Sequence, residues 1–137
     1  MFDALDPYSH ALAALAIWAI VVPVLGAMST VGRSPEGRSP CGKPTRNYAD
    51  PVYRRERAFM NAIETSGPFI AATLAAVLTG APAFWVNLFA SLFLVLRVGM
   101  AYFHIATENQ AARSAFFASA LLCVLCLAML GVWGAFT

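Results

Sequence analysis

The chain has 137 residues, 60% of them hydrophobic and only 12% charged, with a mean hydropathy of +0.68. Soluble domains carry about 25% charged residues, so this composition excludes an ordinary water-soluble globule and points to a membrane protein. The net charge of +2 hides an asymmetry, because seven of the nine Lys and Arg residues (Arg33, Arg38, Lys43, Arg46, Arg54, Arg55 and Arg57) lie between residues 33 and 57. That is a topology signal rather than a nucleic-acid patch. Basic loops stay on the cytoplasmic face and can meet anionic headgroups there.

The N-terminus lacks the basic region of a leader, with Asp3 and Asp6 standing in its place, so the first apolar segment is expected to persist as a helix. That segment is YSHALAALAIWAIVVPVLGAMST, residues 8–30, where Pro23 and Gly26 are expected to introduce a kink. Residues 31–56 read as a long basic loop rich in Gly, Pro, Arg and Ser, whose last stretch, VYRRER, starts a second helix before the membrane. The second span is set at 57–79, the third at 83–107 and the fourth at 112–136, joined by the turn TGAPA and the polar link ENQAAR. Each is long enough for the roughly 20 residues a span needs. The charge pattern puts loop 31–56 and the link at 108–113 in the cytoplasm, and both termini on the far side. The expected fold is one domain over 1–137, an all-α antiparallel bundle of four transmembrane helices.

Three cysteines give no disulfide framework. Cys41 lies in the basic loop, while Cys123 and Cys126 form CVLC in the last apolar run, with no His or carboxylate beside them. Small apolar filling is the better reading there, and no metal site is expected. Trp18, Trp85, Trp133 and Tyr102 are read as interfacial belt and packing residues, and His10 as interfacial.

The polar residues inside the spans carry the functional signal. In YRRERAFMNAIETSGPF, Arg57, Asn61 and Glu64 recur at helical spacing on one face. Arg97 and His104 share a face of the third helix, and Arg113 and Ser114 open the fourth. With antiparallel helices, all of these fall in the cytoplasmic half of the bundle. Charges in hydrocarbon cost about 2.5 kcal/mol or more, so such a cluster is a functional-site hypothesis by default. The plainer alternative is structural: Glu64 neutralises Arg97 and holds the second and third helices in register, Asn61 bonds a neighbouring helix, and Arg57 and Arg113 reach for headgroups. His104 reads either as a general acid or base or as a helix-end residue bonded to a carbonyl or water. The second reading is preferred, because a base needs geometry first.

RAFMNAIETSGPF resembles the second-helix signature of the MAPEG superfamily, the membrane-associated proteins in eicosanoid and glutathione metabolism. RVGMAYFHIATENQAARSAFF resembles the family's third and fourth helices. The similarity is to the branches of microsomal prostaglandin E synthase and microsomal glutathione transferases, and it runs from Arg57 to Phe117. The resemblance implies a homotrimer in a bacterial inner membrane, with glutathione as co-substrate between subunits. It assigns Arg57, Asn61, Glu64, Arg97 and His104 to glutathione binding, Arg113 to activation of the thiol and Ser114 to a place near the sulfur. A lipophilic electrophile would be the second substrate, in a transferase, isomerase or peroxidase reaction. The sequence departs from the prostaglandin synthase branch at Met60, Met100, His104 and Phe117, which stand where that branch has an Arg, a His and two Tyr residues. Two other readings remain: a non-catalytic lipid- or thiol-binding protein of the same fold, and a small multidrug exporter. The exporter fits less well, because the first helix has no charge between His10 and Arg33.

Overall fold

The computed structural model describes residues 4–137; Asp3, named above for the leader argument, lies outside them. A short 3-10 turn, Asp6–Tyr8, leads into α1 (Ser9–Thr30), followed by α2 (Pro51–Leu78), α3 (Ala83–Ala106) and α4 (Gln110–Phe136). The chain is a membrane four-helix bundle. α2 and α3 each pack against all three other helices, and α1 and α4 flank them.

Local chemistry sets the ends of the helices. Asp50 caps α2 by accepting from the Val52 amide at 2.8 Å, and Pro51 takes the first helical position, where its missing N–H costs nothing. The helix therefore starts ahead of the span bound at Arg57 and takes in VYRRER, leaving a loop of 31–50. Asn109 caps α4 through the Ala112 amide at 3.0 Å, so α4 begins at Gln110 rather than 112. α2 ends at Leu78, and Gly80 beyond it has a φ of +71°, which suits the left-handed step after a helix. α1 is continuous through Pro23 and α2 through Pro68.

Hydropathy separates α2 from its neighbours. Among the described residues, three segments are long and apolar enough to cross a membrane by length and composition: Asp6–Thr30, α3 and α4. α2 is not among them, because Arg54, Arg55, Glu56, Arg57 and Glu64 crowd its first half. α2 belongs to the bundle through its packing faces.

The core is built from small residues and one aromatic group. Ala11, Ala14, Ala62, Ala76, Ala90 and Ala120 are buried at helix contacts, where the lack of side-chain bulk lets backbones approach. Gly131 does the same between α4 and α2, since a Cβ there would meet Ala75 and the Ala76 amide at 3.1 Å. In the middle, the Phe69 and Phe93 rings stack at 3.8 Å, and Trp18 meets both edge-on. The Trp18 indole donates to Ser66 Oγ at 2.9 Å, so this tryptophan is a core residue. Trp85 and Trp133 are exposed near the opposite end, as belt residues would be.

The loop is ordered by one buried carboxylate. Glu56, 5% exposed, pairs with Arg33 at the end of α1 and with Lys43 at 3.6 Å. Within the loop, Arg38 and Pro44 form an antiparallel bridge. The loop is thereby held against the start of α2, at the polar end of the bundle.

Candidate functional site

A cleft of about 370 Å³ opens at that end, between α2, α3 and α4. α2 contributes Arg57, Asn61 and Glu64, four and three residues apart along one stripe. Met100 and His104, one turn apart, come from α3. α4 adds Gln110, Arg113, Ser114 and Phe117, and the loop adds Tyr48. Six of the seven predicted site residues thus share one cavity: Arg57, Asn61, Glu64, His104, Arg113 and Ser114.

Arg97 is the exception. It does not line the cleft but lies behind it, only 3% exposed, among Trp18, Asn61 and Met100. Its Nη2 donates to the Asn61 backbone carbonyl at 2.7 Å and its Nη1 lies 2.8 Å from Met100 Sδ. Trp18 and Phe117 present their rings to it, each centroid 5.9 Å away. The expected Glu64–Arg97 ion pair is absent among the described residues. Glu64 is exposed and faces the cleft, while Arg97 points into the bundle. A spacing argument fixes which face of its own helix a side chain shares, but not how deep in the bundle its tip will end.

Two polar side-chain atoms beside the cleft have no hydrogen-bond partner among the described residues. His104 is 4% exposed and Arg113 9% exposed, yet His104 Nδ1 and Arg113 Nη1 are buried without a hydrogen-bond partner. Buried polar groups are normally satisfied, and leaving one bare costs about 1–3 kcal/mol. Arg113 Nη1 is the one of the two that is always a donor, so it can meet an acceptor. Two cationic side chains, Arg57 and Arg113, face one carboxylate, Glu64, so the balance favours an anion that also carries one positive or donor group. Met100 and Phe117 make part of the wall apolar. Guanidinium groups suit carboxylates and thiolates, because they stay charged and present their donors in a plane.

Sequence reasoning missed two residues here. Gln110 lies in the link that was read only as a connection, and Tyr48 lies in a loop without periodicity. The family comparison bears on the same segment of chain. The MAPEG family model matches residues 8–133. The chain belongs to the MAPEG family. This membership covers all four helices and the loop, and it agrees with the helical bundle described above. It places the function generally among MAPEG membrane proteins of glutathione-related transferase, isomerase or similar type. No curated protein matches the chain.

Proposed function

We propose that the cleft binds glutathione, and that this MAPEG protein is a membrane-embedded transferase, isomerase or peroxidase acting on a lipophilic electrophile. The observation that carries the reading is the convergence of Arg57 and Arg113 with the Glu64 carboxylate in one cavity, where His104 Nδ1 and Arg113 Nη1 lack partners. Arg57 would meet a carboxylate of the tripeptide and Glu64 its ammonium group. Arg113 would hold the sulfur in its thiolate form, and Ser114 would donate to it. A free thiol has a pKa of about 8.5, and a neighbouring guanidinium favours ionisation. Arg113 cannot take the proton, which leaves to water. The apolar flank of Met100 and Phe117 would admit a partner substrate from the lipid.

In this reading the whole chain acts as one domain, in a homotrimer with the cleft at a subunit boundary. It sits in a bacterial inner membrane with loop 31–50 in the cytoplasm. Arg97 acts from behind, holding α3 to α2.

Calorimetry on the detergent-purified protein tests the proposal. Saturable glutathione binding is expected in the wild type, weakened about tenfold or more in Arg113→Ala and Glu64→Gln, as befits hydrogen bonds to charged groups. A folded wild-type protein that binds nothing up to millimolar glutathione would overturn it. The second reading would then stand, that of a non-catalytic lipid- or thiol-binding member. One observation favours that reading: Met100 and Phe117 occupy cleft wall and offer no N–H or O–H donor.

A further inference from the structure

The cleft has a cover that comes from outside the helices. Tyr48 belongs to the loop, yet its backbone is tied down. Arg54 of α2 donates from Nη1 to the Tyr48 carbonyl at 2.8 Å and to the Ala49 carbonyl at 3.2 Å. The same guanidinium donates from Nε to the Ile105 carbonyl of α3 at 3.2 Å, so one side chain straps the loop to the end of α3. The Tyr48 ring meets Tyr53 edge-on at 5.1 Å and lies 26° from parallel to the His104 ring at 6.4 Å. Arg113 Cζ lies over it, 4.6 Å from the ring centroid, well within the reach of about 6 Å for a cation–π contact.

This contact restricts how Arg113 can be used. A guanidinium carries all of its N–H donors in its plane and none on its faces. The Tyr48 ring, with Arg113 Cζ over it, takes up one side of the space around the guanidinium. Arg113 Nη1 is buried and without a partner, so a donor remains for an incoming acceptor. The carboxylate of Glu64 and the amides of Asn61 and Gln110 line the same cavity; Phe117, also in its wall, turns its ring to Arg97, and Tyr48 is the ring that meets Arg113.

We propose that Tyr48 is the specificity-determining cap of the cleft. It lies against the Arg113 guanidinium, keeps water from that side, and narrows the directions from which an anion can reach the N–H donors. Slender anions, such as a carboxylate or a thiolate on an unbranched stem, reach Arg113 from those directions, and bulky anions do not. The proposal rests on the reading of the cleft as an anion site and adds the residue that sets the angle of approach.

Modification of arginine by phenylglyoxal, read residue by residue by peptide mass spectrometry on the full-length protein in detergent, tests the cap without any ligand. Arg113 should react slowly in the wild type and about fivefold faster in Tyr48→Ala, the scale of a lost cation–π contact. Tyr48→Phe keeps the ring and should stay within about twofold of the wild type. Exposed Arg38 should react at one rate in all three proteins. An unchanged Arg113 rate in Tyr48→Ala, or equal acceleration in Tyr48→Phe, would overturn the proposal. Glutathione calorimetry run alongside keeps the two readings apart. Acceleration without glutathione binding upholds the cap and removes the thiol reading, whereas binding without acceleration removes the cap.

Discussion

Arg97 of α3 and Asn61 of α2 are joined through the main chain: the Arg97 Nη2 donates at 2.7 Å to the Asn61 carbonyl, which also accepts from Thr65 Oγ1 at 3.1 Å. A helix carbonyl already engaged in its own ladder is a weak counterpart for a buried cation. Arg97 is held by this bond, by the Met100 sulfur and by two aromatic rings.

Arg97 and Glu64 make no ion pair among the described residues and should consequently couple only weakly in stability measurements. Arg97→Ala removes a large buried side chain and its bond between helices, and should cost about 3 kcal/mol. Glu64→Gln should change stability by less than about 0.5 kcal/mol, as an exposed substitution does. Thermal unfolding in detergent of the two single variants and the double variant checks this. A coupling well above that range would restore the ion pair.

Asn87 governs the other end of the bundle. Its side chain donates to the Pro7 carbonyl at 2.7 Å and accepts from the Ala11 amide at 2.9 Å, bridging α3 to the first turn of α1. Asn87→Ala leaves both backbone groups unpaired and should cost about 2 kcal/mol. Tyr8→Phe loses only the bond to the Ala81 carbonyl and should cost about 1 kcal/mol. The same unfolding assay ranks them, and the reverse order would contradict the assignment.

The buried Glu56 carboxylate should control access to the loop. In Glu56→Gln, Arg33 and Lys43 lose the charge that gathers them, and breaking a buried pair costs about 3 kcal/mol or more. Trypsin should then cut after Arg38 or Arg46 about tenfold faster, with the helices still intact. Equal cleavage rates would show that the loop is held by other means.

Cys41 offers a reading of the loop in solution. The Ser39 hydroxyl, 3.1 Å from its sulfur, and the nearby Lys43 hold its thiol below the usual range. A lowered pKa means more thiolate at neutral pH and faster alkylation. Iodoacetamide should label Cys41 faster than an unperturbed peptide thiol, with the pH profile moved to lower pH. Ser39→Ala should move the profile back up; a profile that stays in place would remove the hydroxyl as its cause.

The helix pattern and the polar stripe could be read from sequence because both are periodic. Arg57, Asn61 and Glu64 recur at the spacing of one helix face, and the antiparallel order of the helices carries His104, Arg113 and Ser114 to the same end. The tip of Arg97 could not be read, because its long stem reaches the bundle interior and meets a carbonyl rather than a carboxylate. Tyr48 was hidden for another reason. Its position follows from Arg54 gripping two loop carbonyls, and such backbone contacts leave no pattern in side-chain identity. Trp18 shows the same limit, since belt and core tryptophans look alike until a partner such as Ser66 is in place.

The polarity of α2 also bears on how the chain is made. Insertion into a bilayer depends on the hydropathy of each segment as it emerges, and Asp6–Thr30, α3 and α4 meet that condition by composition. α2 emerges second, with Arg57, Asn61 and Glu64 exposed until the helices that flank them have been synthesised. A nascent chain halted at Leu78 is therefore expected to hold α2 across the bilayer less firmly than the finished chain does, which glycosylation mapping of truncated chains would read. The stripe that furnishes the cleft thus ties the insertion of α2 to the company of its neighbours.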